Sequence, residues 1–168
     1  MSLFRLISGI ALAATLLPIA ALATEYEIDP GHSSVNFKVR HLVSKTAGKF
    51  DKFSGKINHE PGKPDTWKVE AHIDAMSINT NEPKRDKHLR SVDFFDTDKN
   101  KEIVFKSTGV KDANDKTAKL EGNLTIHGVT KPVVLDLEMG GEGTDPWGNH
   151  SIGFTAMTKL NRKDFGLT

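Results

Sequence analysis

The side chains best suited to chemistry in this sequence are its seven histidines, and their spacing gives them no shared local site. His32, His41, His59, His72, His88, His127 and His150 are scattered along the chain. None forms His-x-His or His-Glu-x-x-His, the spacings that bring neighbouring imidazoles onto one zinc ion. Cysteine is absent, which excludes thiol catalysis, iron–sulfur clusters and cysteine-based zinc sites. There is no Gly-x-Ser-x-Gly nucleophile elbow. Gly140-Gly141-Glu142-Gly143 lacks the Lys-Ser/Thr of a phosphate loop and precedes Asp145-Pro146, so it reads as a hairpin loop. Asp93, Asp96 and Asp98 lack the glycine and the terminal glutamate of a calcium loop and read as solvated acids. We expect no catalytic residue, no metal and no cofactor. The competing reading is a secreted metal-assisted hydrolase that gathers histidines from several strands.

Two groups remain. His127 ends an alternating run and stands before Gly128, whose backbone freedom suits a turn. We read it as turn punctuation, with a ligand or metal contact as its competing role. Arg85, His88 and Arg90 lie beside Leu89, Phe94 and Phe95. They are the candidates for meeting a polar or phosphorylated group from a lid; the competing role is favourable charge at a helix C-terminus.

The elements that position these residues follow a period of two. Val35, Phe37 and Val39 alternate with polar residues, as do Trp67, Val69, Ala71 and Ile73. Ile103, Phe105 and Ser107 follow, with Val104 on the opposite phase, and then Leu120, Gly122, Leu124 and Ile126. Val133, Leu135 and Leu137 precede a last run, Ile152, Phe154, Ala156, Thr158 and Leu160. One apolar face per segment marks antiparallel strands wet on one side. Turn signals at 29–31, 60–62, 112–115, 128–132 and 140–148 make the architecture a sandwich or a barrel. Residues 81–90 break the pattern and predict a short crossing helix with an Asn81 cap and Pro83 in its first turn. Small residues on the inward phase (Ala71, Ser107, Gly109, Gly122, Ala156, Thr158) either let backbones approach or leave room for a ligand inside a closed sheet.

The 168 residues are one domain's worth of chain. Residues 1–23 have a basic start at Arg5, an uncharged run and an Ala21-Leu22-Ala23 end, which predicts a cleaved signal peptide. Arg5 is their only charge, so the remainder is formally neutral where the whole chain carries +1. A sign-balanced composition argues against nucleic acid or an anionic membrane as the main partner. Export also fits a domain that folds without disulfides.

Four segments in order, "IDPGHSSVNFKVRHL", "RDKHLRSVDFFD", "GNLTIHGVTKPV" and "LNRKDFGL", are similar to the YceI-like family of periplasmic polyisoprenoid-binding proteins. The resemblance implies an all-β, lipocalin-like, antiparallel eight-stranded β-barrel with one short helix, exported to the periplasm. It implies an apolar lumen that carries or sequesters a long-chain isoprenoid lipid, polyprenyl or quinone-like, without catalysis. The resemblance also implies a role in lipid transport and in the stress response. The lumen residues we expect are Val35, Phe37, Val39, Trp67, Val69, Ala71, Ile73, Phe105, Leu120, Leu124, Ile126, Leu135, Leu137, Phe154 and Ala156. Head-group contacts would fall to Arg85, His88 and Arg90. No stable membrane insertion is expected after signal cleavage, and a homodimer is compatible with the reading. Similar proteins run on past this point into a closing strand, so 24–168 reads as a barrel domain lacking its C-terminal strand.

Overall fold

The computed structural model describes residues 24–41, 43–60 and 62–167; the leader expected over 1–23 lies outside them. Ten strands are present among the described residues, all paired antiparallel: β1 (Thr24–Glu27), β2 (Val35–His41), β3 (Ser44–Phe50), β4 (Phe53–His59), β5 (Lys68–Asp74), β6 (Ile78–Asn79), β7 (Glu102–Lys111), β8 (Thr117–Ile126), β9 (Val129–Thr144) and β10 (His150–Met157). They form a seven-stranded sheet in the order β1-β4-β5-β7-β8-β9-β10 and a three-stranded sheet in the order β2-β3-β6. The end strands of the larger sheet approach each other, with Tyr26 Oη 3.0 Å from His150 Nδ1. The sheet is therefore curled into a nearly closed barrel. The barrel expectation holds; its strand count is ten in two sheets rather than eight.

Alternation predicted six of the ten strands. β3 and β4 were missed for a physical reason. Their sequences, Ser-Lys-Thr-Ala-Gly-Lys-Phe and Phe-Ser-Gly-Lys-Ile-Asn-His, carry glycine where an apolar residue would give the signal. A side chain at Gly48 would collide with the Phe37 ring, and one at Gly55 with the Glu70 carbonyl and the Ile28 methyl. The apolar cover over both strands is supplied by a neighbour, so their own sequence does not show it.

The helix α1 spans Pro83–Arg90. Its cap is Glu82, whose carboxylate accepts from Lys84 N and Arg85 N, and not Asn81, which sits outside the helix at φ 60°. A carboxylate there also complements the helix dipole. The 140–148 loop is shorter than expected, because β9 continues to Thr144. Asp145 builds the remaining turn by accepting from Trp147 N and Asn149 N. Gly141, at φ 103°, faces the register shift between Gly153 and Phe154, so those glycines serve an irregular strand. β10 ends at Met157, which leaves Thr158 and Leu160 outside the last strand and exposed.

His127 and Gly128 are the two central residues of the β8–β9 hairpin, with φ of 51° and 73°. Two positive φ values are what a type I′ turn requires, and its twist matches the flanking strands. His127 is a turn residue, as expected.

Candidate functional site

The inward faces build two apolar clusters joined through Val110. Phe105, Leu120, Leu124 and Ile126 are buried in the larger one, and Val35, Phe37, Val69, Ala71, Ile73 and Leu135 pack half-buried around it. The smaller cluster centres on Trp67, Leu137 and Ala118, flanked by Phe154 and Met139. Thirteen of the fifteen expected lumen residues thus join a cluster. Val39 is half-buried and belongs to neither. Ala156 is exposed, although it stands opposite the buried Leu137 in register.

Several small inward residues do not open space. The ring of Phe105 lies over Gly122, where a Cβ would come within 2.5 Å of it. Ser107 sits at a register shift between β7 and β8, and its hydroxyl accepts from Val69 N at 2.8 Å. It replaces a ladder carbonyl at the bulge. Of the two explanations for small inward residues, close approach holds at Gly122 and Ser107. What stays uncovered is the strip of half-buried apolar residues on β2 and β5.

Sequence reasoning missed Phe165 and Leu167, which are 2% and 6% exposed in the larger cluster. The chain turns there in a 3-10 segment, Arg162–Phe165, capped by the Asn161 side chain on Lys163 N and ended by Gly166 at φ 75°. Asn161 and Gly166 bracket the turn, with Phe165 just inside it and Leu167 just beyond, and that capping pair was the legible signal of the turn. Phe50 at the end of the glycine-bearing β3, Ala75 in the 3-10 turn after β5 and Ile78 on the two-residue β6 were also missed.

The helix covers one part of this interior, with Leu89 and Phe95 packed against the larger cluster. Its cations are committed to the protein itself. Arg85 donates to the Thr80 hydroxyl at 2.7 Å and to the Thr80 carbonyl at 2.9 Å. Arg90 donates to the carbonyls of Met76 and Ile78, both at 2.7 Å. His88 lies 3.4 Å from Asp93 and edge-on to Phe94. The structure brings Arg85, His88 and Arg90 onto one helix, where the arginines clamp it to the chain at 76–80.

Among the histidines whose side chains are described, His59 is the one drawn into the interior. It is 7% exposed, its ring lies 4.6 Å from Trp67 and 5.7 Å from Phe154, and its Nδ1 has no partner. Burial pushes its pKa below the usual 6.5, and the Glu142 carboxylate offsets part of that shift. The neighbouring Glu60 is also buried, but its Oε1 lies 2.5 Å from Lys63 Nζ, which makes it an ion pair rather than an orphan. The Glu60 carbonyl accepts from Trp67 Nε1 at 2.9 Å and fixes that ring. Among the described residues, no three His, Asp or Glu side chains converge as metal ligands would.

The sign of His59's effect on stability is fixed by its shift. Above about pH 6.5 both folded and unfolded chains hold it neutral; below that, the unfolded chain takes up the proton more readily and stability falls. His72 acts oppositely, because the hydrogen bonds it donates to the Glu70 and Glu102 carboxylates raise its pKa. Its contribution is present below about pH 6.5 and is lost as pH rises through the raised value. Comparison with His59→Phe removes the other groups from the difference. We expect wild type to lose stability relative to this variant as pH drops from about 7.5 to about 5. A constant difference in denaturation midpoint would mean that the folded chain protonates His59 freely.

The fold and interior define an all-β protein of the antiparallel barrel class, with an apolar inside and a polar outside. The chain belongs to the YceI-like family: the YceI-like domain matches residues 26–168. It is 42% identical over 166 residues to a UPF0312 protein of Shewanella baltica, covering 97% of this chain and 87% of the relative. A UPF0312 protein of Vibrio cholerae is 41% identical over 167 residues, covering 97% and 88%. The Campylobacter jejuni YCEI protein superposes with a TM-score of 0.70 at 35% identity, over 86% of this chain and 85% of that one. Burkholderia cenocepacia BcnA shares the fold, with a TM-score of 0.76 at 21% identity over 83% and 84%.

Proposed function

We propose that the chain is a non-catalytic binding protein that carries or sequesters a long-chain isoprenoid lipid in its apolar interior, in the periplasm. The observation that supports this is the set of half-buried apolar residues of β2 and β5, Val35, Phe37, Val69, Ala71 and Ile73. Here they keep apolar surface that a hydrocarbon chain can cover, gaining about 0.8 kcal/mol for each CH₂ removed from water. Much of that gain is offset by ordering a flexible lipid. Membership in the YceI-like family supports the same ligand class. Binding of this kind selects for chain shape and length more than for head group, since the interior offers few polar contacts. No helix among the described residues is long and apolar enough to cross a membrane.

Native mass spectrometry of freshly purified protein tests the reading, because an isoprenoid would appear as a discrete added mass. Ala71 sits in the middle of β5, opposite Gly55 on one side and Phe105 on the other. Ala71→Phe would fill the strip from within. We expect the variant to keep its circular dichroism spectrum and to lose at least about tenfold in isoprenoid affinity, equivalent to two or so CH₂ groups. A folded variant that still co-purifies with the full complement of lipid would remove this interior as the binding site.

A further inference from the structure

The β2–β3 hairpin has two unlike faces. Val35, Phe37 and Val39 point inward, while Asn36, Lys38 and Arg40 are exposed on the other side. The register sets Asn36 opposite Lys49, Lys38 opposite Ala47 and Arg40 opposite Lys45, so these residues share one outer face. That face carries Lys38, Arg40, Lys45 and Lys49 and no acid. Only Lys49 is neutralised, by Asp51 at 2.7 Å. Lys38, Arg40 and Lys45 have no acidic partner among the described residues. At the hairpin's tip Val43 is 100% exposed. The balanced overall charge therefore hides a local concentration of positive charge beside a bare apolar residue.

Edge strands commonly carry lysine to block aggregation, and β2 is an edge of its sheet. That function does not account for the rest. β3 is paired to β6 only at Lys49 and Phe50, so Lys45 also stands on an open edge, but Lys49 lies where β3 is covered on both sides. Arg40 directly opposite Lys45 is a destabilising pair. A fully exposed valine at the tip works against solubility. Cations flanking an apolar tip fit a surface that is anionic outside and apolar beneath, which is the chemistry of an anionic phospholipid leaflet.

We propose that the outer face and tip of the β2–β3 hairpin form a docking surface for anionic phospholipid bilayers. Val35 and Phe37, on the inner face of β2, belong to the half-buried apolar residues, so docking brings that part of the interior close to the membrane. The inference extends the lipid-binding reading, but its test uses vesicles without isoprenoid, so the two can fail separately.

The experiment is co-sedimentation of the full chain with vesicles of phosphatidylcholine alone, or with a third of it replaced by phosphatidylglycerol. Wild type is expected to bind the anionic vesicles at low salt, to release at high salt, and to ignore the neutral ones. Lys38→Ala with Lys45→Ala should weaken binding about thirtyfold, at roughly fivefold for each cation lost near a charged surface. Val43→Ser should weaken it about tenfold. Lys38→Arg with Lys45→Arg should bind as wild type does. Equal binding to both vesicle types, or no vesicle binding at all, overturns the proposal, the latter even if an acidic protein is captured instead. Unchanged binding with new aggregation in the double alanine variant overturns it too, in favour of an edge guard. Should that variant not fold, Val43→Ser and the salt dependence of wild type decide. Isoprenoid content, read on the same samples, is expected to be unchanged; its absence from a wild type that still docks would sink the lipid-carrying reading alone.

Discussion

Replacing Gly122 by valine is expected to cost about 3 kcal/mol or more of stability, a large part of the 5–15 kcal/mol that holds a typical domain together. The Cβ alone would lie 2.5 Å from two atoms of the Phe105 ring and 2.6 Å from the Lys106 carbonyl oxygen. The ring has somewhere to go, since Phe105 lies in an interior bordered by half-buried residues. The carbonyl does not, because Lys106 pairs with Asn123 on β8 and with Glu70 on β5. Relief through the ring alone is therefore incomplete. Urea denaturation measures the loss directly. Gly122→Ala combined with Phe105→Leu should be less destabilising than the two single changes added together, since the smaller side chain vacates the contested volume. A Gly122→Val protein within about 1 kcal/mol of wild type would mean that β7 and β8 can separate at this point. The interior would then be more yielding than its packing implies.

The second large effect is expected at Asp86, a buried carboxylate on the helix, 7% exposed. Its Oδ1 accepts from Thr80 N at 2.9 Å and from the Thr80 hydroxyl at 2.5 Å. Arg85 Nε donates to that same hydroxyl, so the three residues form one chain of hydrogen bonds. Asp86→Ala removes the acceptor and leaves a buried N–H and hydroxyl with nothing to donate to. Loss of hydrogen bonds to a charged group, with donors stranded, costs about 3 kcal/mol. The damage should be local. Leu89 on the helix and Phe95 in the turn tied to it by Phe95 N donating to the Leu89 carbonyl both reach the core, so hydrogen exchange should accelerate across residues 80–95 before the barrel opens. Asp86→Asn keeps an acceptor oxygen and should recover about half of the loss. Uniform exchange along the whole chain in Asp86→Ala would show that the helix and barrel unfold as one unit.

What was legible and what was not divides along a physical line. Strands whose own side chains carry the apolar face, such as β2, β5 and β8, announce themselves by alternation. The hairpin at His127-Gly128 does so by its turn chemistry, and the helix by Pro83 and the basic residues that follow. β3 and β4 carry no such signal, since Phe37 and Ile28 reach across to cover their glycines. The cap was misplaced by one residue because Asn81 and Glu82 are both competent acceptors, and only the backbone path decides which faces the helix. Phe165 and Leu167 lie far along the chain from the strands they pack on, and nothing local reports that contact.

The candidate site shows the same division. Thirteen expected lumen residues reach the two clusters because parity along a strand determines which way a side chain points. The fate of the cations depended on partners brought close only by folding. Arg85 and Arg90 are taken up by carbonyls at 76–80, whereas Lys38, Arg40 and Lys45 are gathered on one face by the β2–β3 register. The amino-acid sequence by itself determined that this is an antiparallel, apolar-centred barrel protein of the YceI-like family, because alternation, turn residues and family motifs are local properties. Tertiary structure alone decided which glycines are filled, which histidine is buried and where positive charge collects, because each of these depends on atoms from distant parts of the chain meeting in space.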